Sequence, residues 1–288
     1  NCNARLVAVL NSTDTSFPKL KTLFSPEVLT HDVDEFFNAD LDAVVISSRH
    51  DSHSKYALYC ISRGVPVHVE KPLCLSIDDL DEIKKRALEK DSLVAIGFNR
   101  RAAGAITMLK KELSKYQAPM QINYRINAPL LPETHWSLDA EMGGGRLIGE
   151  GCHFIDLANY ISGANIHKVS HATLASNHQA IANLDNFNLL IEYQNGDVAN
   201  ISYSGQGNAC TDKETLEVIV AGNMYSIIDF ENLCITTNDG SVTKEGFKDK
   251  GFSSNMHNFF EAIRGNSDIT SSIHDWEKVH EVISIMRG

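Results

Sequence analysis

The feature that most constrains this chain is the alternation in its first hundred residues. Four short apolar runs, "RLVAVLN" (Arg5–Asn11), "DAVVISS" (Asp42–Ser48), "VPVHVE" (Val65–Glu70) and "LVAIGFN" (Leu93–Asn99), read as strands. Between them lie segments with helical spacing. "SKYALYCISRG" (Ser54–Gly64) stops on a glycine suited to the left-handed C′ position. "SIDDLDEIKKRALEKD" (Ser76–Asp91) has a Ser N-cap, acids in its first turn and bases in its last. Strands this apolar need cover on both faces, which predicts a parallel α/β sheet of Rossmann type. Ligands of such sheets bind beyond the carboxyl ends of the strands. The positions that matter are therefore Asn11–Thr13, Ser47–His53, Glu70–Pro72 and Asn99–Arg101.

From about Met120 the pattern changes. "PMQINYRINA" (Pro119–Ala128) reads as a strand and "HFIDLANYISG" (His153–Gly163) as an amphipathic helix. "FNLLIEYQNGDVANISYSG" (Phe187–Gly205) carries Asn195-Gly196, a type I′ hairpin signal. Glu214–Glu245 reads as two or three further strands, with turns at Gly222-Asn223 and Asp239-Gly240. Two helices, roughly Ser254–Arg264 and His274–Met286, close the chain. The expected organisation is a dinucleotide-binding unit over 1–118, then an α+β unit over 119–288. The second would carry a large, open, mainly antiparallel sheet.

Two segments can carry chemistry. Glu70-Lys71-Pro72 ends a parallel strand, where a lysine can reach a hydroxyl and handle a proton; the alternative is a surface ion pair. "GGGRLIGEGCHFID" (Gly143–Asp156) joins a close-approaching backbone to His153 at a helix start, with Asp156 three residues on. A neutral imidazole there can take a proton from an alcohol; alternatively it only caps or packs. In Ser47–Lys55 the small hydroxyls of Ser47 and Ser48, with Arg49 and the two histidines His50 and His53, either face a ligand or form a solvated N-cap turn through Ser52 or Ser54. His135-Trp136 is either a sugar-stacking pair or core.

Read in order, "DAVVISSRHDSHSKYAL", "GVPVHVEKPLCLSIDDLDEI", "VAIGFNRR" and "GGGRLIGEGCHFIDLANYISG" resemble the Gfo/Idh/MocA family of NAD(P)-dependent oxidoreductases, over nearly the whole chain. The run Ile122–Leu157 is similar to the branch often fused behind a zinc-alcohol-dehydrogenase-like domain. The resemblance implies NAD or NADP as cofactor and hydride exchange with a carbinol carbon of a sugar, cyclitol or nucleotide-sugar. Lys71 and His153 would be catalytic, with Glu150 and Asp156 as possible auxiliaries. Asn11, Ser12, Ser47, Ser48, Arg49, His53, Glu70, Lys71, Pro72, Asn99 and Arg100 would line the cofactor cleft. Arg125, His135, Trp136 and His153 would meet the substrate. The Lys71–Pro72 bond would be cis. The open sheet would pair copies into a dimer or tetramer.

The chain departs from that family in three places. No G-x-G-x-x-G precedes a strand, and Arg5–Asn11 corresponds to the family's second strand. That is expected of a piece of a longer chain rather than of a natural loss. The position after that strand, an acid in NAD-specific members, is Asn11, followed by Ser12 and Thr13, so NADP is tolerable too. Where many members place an Asp four residues before the histidine, this chain has Gly149, with Glu150 beside it.

Composition excludes other classes. A net charge of −11 argues against nucleic acid as partner. The six cysteines show no C-x-x-C spacing, which argues against a metal cluster or a disulfide framework and suits a cytoplasmic protein. No apolar run is long enough to span a bilayer. Two alternatives stay open: a non-enzymatic dinucleotide- or sugar-sensing regulator, and a glycoside eliminase or hydrolase assisted by transient oxidation.

Overall fold

The computed structural model describes residues 4–174, 185–247 and 249–288. Cys2 lies outside them; the five cysteines within them are all free thiols. Among the described residues there is no cluster of side chains able to hold a metal ion. Nor is any helix long and apolar enough to cross a membrane.

The first part is parallel. β1 (Ala8–Leu10) pairs with β2 (Val28–Thr30), and α1 (Phe17–Phe24) connects them. α2 (Val33–Phe37) follows, capped by Asp32, whose carboxylate accepts from Glu35 N. β3 (Val44–Ile46), β4 (Val67–Val69) and β5 (Val94–Ile96) form a second parallel sheet, joined by α3 (His53–Ser62) and α4 (Ile77–Lys90). Thus the expected parallel sheet comes as two hydrogen-bonded pieces, and β1 and β3 do not pair. All three residues of β4 and of β5 are buried, as their unbroken apolar runs require.

α5 (Gly104–Leu113) leads into an eight-stranded sheet, ordered β13-β12-β11-β10-β6-β9-β8-β7. Its strands are β6 (Gln121–Pro129), β7 (Ile166–Thr173), β8 (Asn186–Tyr193), β9 (Val198–Gly207), β10 (Glu214–Val220), β11 (Asn223–Ile228), β12 (Asn232–Thr236) and β13 (Val242–Gly246). Every pairing is antiparallel except β6 with β9. Glu214–Glu245 therefore yields four strands rather than two or three. In β6 the even residues Ile122, Tyr124, Ile126 and Ala128 are buried, while Gln121 and Arg125 are exposed. One face packs on helices and the other stays open.

The Asn195-Gly196 hairpin forms, but not with a type I′ turn. Only Gly196 takes a positive φ, 90°, within a four-residue connection. The Asn195 side-chain Oδ1 instead accepts from Asp197 N at 3.1 Å. The two-residue loop with both φ positive is Ala221-Gly222, at 48° and 80°.

α6 (Cys152–Ser162) begins behind a π-helical turn over Leu147–Gly151 and ends on Gly163 in the left-handed conformation. α7 (Phe252–Ile263) and α8 (Ile273–Arg287) end the chain. α8 packs on α6 and β7 and also on β5 and α4, so the C-terminal helix holds both sheets.

Candidate active site

The site forms where the turns after β3 and β4 meet the start of α6. The Lys71–Pro72 peptide is cis. Lys71, half-buried, sends its ammonium across to the π-helical turn and donates to Gly149 O at 2.8 Å. Two segments 78 residues apart thus share one hydrogen bond.

His153 stands one turn further along, 7% exposed, with its ring 6.2 Å from that of Phe98. Its Nδ1 is buried and has no partner among the described residues. Burial, then the positive charges of Arg100 and Lys71, hold the imidazole well below its ordinary pKa, so it is neutral.

Glu70 is half-buried at the end of β4. Burial raises its carboxyl above the ordinary value, against the pull of Lys71. Its side chain occupies the space beside Gly97, where an added Cβ would come within 2.6 Å of Oε2. Ser47, Ser48 and Arg49 are exposed beyond β3. His53 is buried, with Nδ1 2.7 Å from Pro72 O and Nε2 3.1 Å from Ser48 O. Burial depresses its pKa, and the shorter contact is where a single proton is best placed. That bond fastens the Lys71-Pro72 turn to the turn after β3.

Other expected residues sit elsewhere. Arg100 forms a buried bidentate pair with Glu214, which also accepts from Tyr124 and Lys250. Asn99 donates to Lys250 O. Asp156 is fully engaged by Arg101, which it shares with Asp275. Burial foremost, and the nearby charge of Asp275 to a lesser degree, push Asp156 up to about 6 against the pull of Arg101. Glu150 turns to Lys213, Arg146 and Tyr203. Arg125 lies on the open face of the sheet and bonds Thr215. Asn11 holds Ser16, and Ser12 is exposed. Arg100, Asp156 and Arg125 are consumed by other partners because buried charges are kept only where paired, and because alternation along β6 sends Arg125 outward.

His50, one of the two histidines expected to face a ligand, has a defined setting. It is 8% exposed, with Nδ1 2.8 Å from Gly143 O and its ring 4.8 Å from Trp136, edge to face. Its Cε1 lies 3.1 Å from where a Cβ on Gly149 would stand. His135 stacks on Trp136, and Arg49 lies 5.9 Å from that ring. The two histidines at 50 and 53 in one turn were the available signal, but only the fold separates their roles.

The site and the architecture, two parallel sheet pieces followed by a large open sheet, define a class: a Rossmann-type unit joined to an α+β unit, with the start of α6 meeting the turns after β3 and β4. The oxidoreductase-family model with an NAD-binding Rossmann fold, GFO_IDH_MocA, matches residues 1–98, and its companion C-terminal domain model matches 115–226. The chain belongs to the Gfo/Idh/MocA family. It is 24% identical over 192 residues to scyllo-inositol 2-dehydrogenase (NADP(+)) IolW of Bacillus subtilis, covering 65% of this chain and 52% of that protein. It is 25% identical over 170 residues to myo-inositol 2-dehydrogenase of Thermotoga maritima, covering 58% and 50%. The chain spans about half the length of the curated relatives it matches. The solved UDP-N-acetylglucosamine 3-dehydrogenase GnnA of Acidithiobacillus ferrooxidans superposes with a TM-score of 0.83 at 20% identity, covering 98% of this chain and 88% of that one.

Proposed function

We propose that this chain is the catalytic part of an NAD(P)-dependent dehydrogenase acting on a secondary alcohol of a cyclic polyol or sugar. The observation that carries it is the Lys71–Gly149 bond, which brings the strand-end lysine and the start of the His153 helix to one point. The half-buried Glu70 carboxylate, bonded to no donor side chain among the described residues, suits the ribose hydroxyls beside a nicotinamide. Ser47, Ser48 and Arg49 offer polar contacts at the neighbouring strand end. These residues fit the nicotinamide end of the cofactor. No turn after β1–β5 carries the glycine pair that a pyrophosphate needs. Residues 1–118 form the nucleotide unit and 119–288 the substrate unit in this reading.

The cofactor supplies the acceptor or donor of hydride. The protein's residues manage the proton. Neutral His153 takes it from the substrate hydroxyl as the carbon loses hydride, and returns it in reduction. The Lys71 ammonium donates to the same oxygen and stabilises developing negative charge. Trp136 and His135 offer a flat apolar wall for the carbon skeleton. The free thiols suit a reducing compartment such as the cytoplasm. The open sheet face, with Leu190, Ile219 and Ile228 exposed among polar side chains, is where copies pair.

The test is absorbance of reduced cofactor with the full-length protein, NAD or NADP, and myo-inositol, scyllo-inositol, levoglucosan and UDP-N-acetylglucosamine in turn. Turnover with at least one is expected. Binding of cofactor and sugar without turnover would favour a sensor instead.

A further inference from the structure

His50 carries a charge-free acceptor at the edge of the site, and we propose that its Nε2 binds a hydroxyl of the substrate ring other than the one oxidised. Resting on the dehydrogenase reading above, this makes His50 a specificity-determining residue for cyclic polyols.

The tautomer follows from the partner. Gly143 O is a carbonyl and can only accept, so the 2.8 Å contact requires the proton on Nδ1. The neutral ring then leaves a bare lone pair on Nε2. A second proton is discouraged by burial foremost and by nearby Lys71, which together hold the pKa at about 4 despite the Gly143 bond. Groups facing the ring are Lys71, His53 and Trp136. No carboxylate among them favours the charged form.

Nε2 has no partner among the described residues, although the residue is nine-tenths buried. It is also not sealed in, unlike Nδ1 of His153. A buried side chain with one nitrogen fastened and the other open is an acceptor held ready for a donor. Its surroundings say which donor. The Cε1 edge lies against Gly149, whose carbonyl holds Lys71. Because position 149 has no side chain, the ring edge reaches the catalytic lysine's side of the cleft. Trp136 meets His50 edge to face and is itself half-buried. A ring with one apolar face and equatorial hydroxyls would set its face on Trp136 and one hydroxyl on Nε2.

Two variants separate this role from packing. In H50N the amide nitrogen can still donate to Gly143 O, but the acceptor at the Nε2 position is gone. In H50Q the longer side chain returns an acceptor there. With the full-length protein and the polyol that gives best turnover in the panel above, H50N should raise KM about tenfold or more. It should leave the Kd for NAD, by fluorescence titration, within about twofold. H50Q should recover most of the loss in KM. Thermal midpoints of both, measured alongside, identify any general loss of folding. An unchanged KM in a folded H50N, or an equal rise in KM and in NAD Kd, would overturn the assignment while leaving the dehydrogenase intact. A wild-type protein that turns over none of the panel would overturn both.

Discussion

At Gly97 the end of β5 runs so close to Glu70 that no side chain fits. A Cβ there would meet Glu70 Oε2 at 2.6 Å and its Cα at 3.0 Å. Gly97 is therefore a condition of the Glu70 rotamer, not a loop ornament. Gly97→Ala should lower the unfolding free energy by about 1–3 kcal/mol, the usual result of overpacking, and weaken dinucleotide binding in parallel. Urea denaturation and NAD titration check this; an unchanged midpoint with unchanged affinity would contradict it. The placement of Lys71 at a strand end and of His153 at a helix start was legible in the sequence, because each lies in a motif whose neighbours fix its place: a strand followed by Pro72, and glycines followed by a helix. His50 was readable only as one of two histidines after β3 expected to face a ligand; its partners Gly143 and Trp136, some ninety residues away, were not. Glu150 was misleading for a physical reason. Within the π-helical turn it points to Lys213 and Arg146 rather than toward the Gly149 side.

The elements are tied together by buried charge. Arg100, on the turn after β5, is bonded twice by Glu214 at the head of β10, with Tyr124 and Lys250 completing the cluster. Burial alone would raise the Glu214 carboxyl, but Arg100 and Lys250 overcome it and hold it at about 2. Removing one partner strands the other without water. Glu214→Gln should cost on the order of 3–5 kcal/mol, and replacing Arg100 and Glu214 together by apolar residues should cost less than that. Calorimetry of the three proteins decides it. A Glu214→Gln protein as stable as wild type would mean the pair is not enclosed. The strands of this region were readable from their alternation, and the hairpin at Asn195-Gly196 from its turn residues. The turn type was not, because the connection is four residues long and the asparagine amide bonds locally. The split of the parallel sheet into two pieces was likewise invisible, since apolar runs report cover on their faces and not which edges pair.

Across the whole molecule, histidines decide how the fold responds to acid. Burial holds His50 and His68 at about 4, and lowers His53, His153 and His280 as well. In the unfolded chain they protonate near pH 6.5, roughly the free value. Between about pH 6.5 and 4 these histidines bind more protons in the unfolded state, so they lower stability as pH falls through that window; the carboxyls of Asp156, Glu70 and Asp185, raised by burial, oppose them in part, and the five histidines outnumber them. Glu214 extends the effect. Its contribution is present above its unfolded value of about 4.5 and disappears as pH drops toward 2. A thermal midpoint that declines steadily below about pH 6.5 is expected, and a level one down to about pH 4.5 would contradict the neutral histidines. The same neutrality makes His153 available as a base, which links stability to chemistry. The most direct test is single-turnover hydride transfer, followed by cofactor absorbance, in full-length Lys71→Ala and His153→Ala. Each should slow transfer by at least about a hundredfold while cofactor remains bound; transfer within about twofold of wild type in either variant would contradict a shared role for the two at one carbinol.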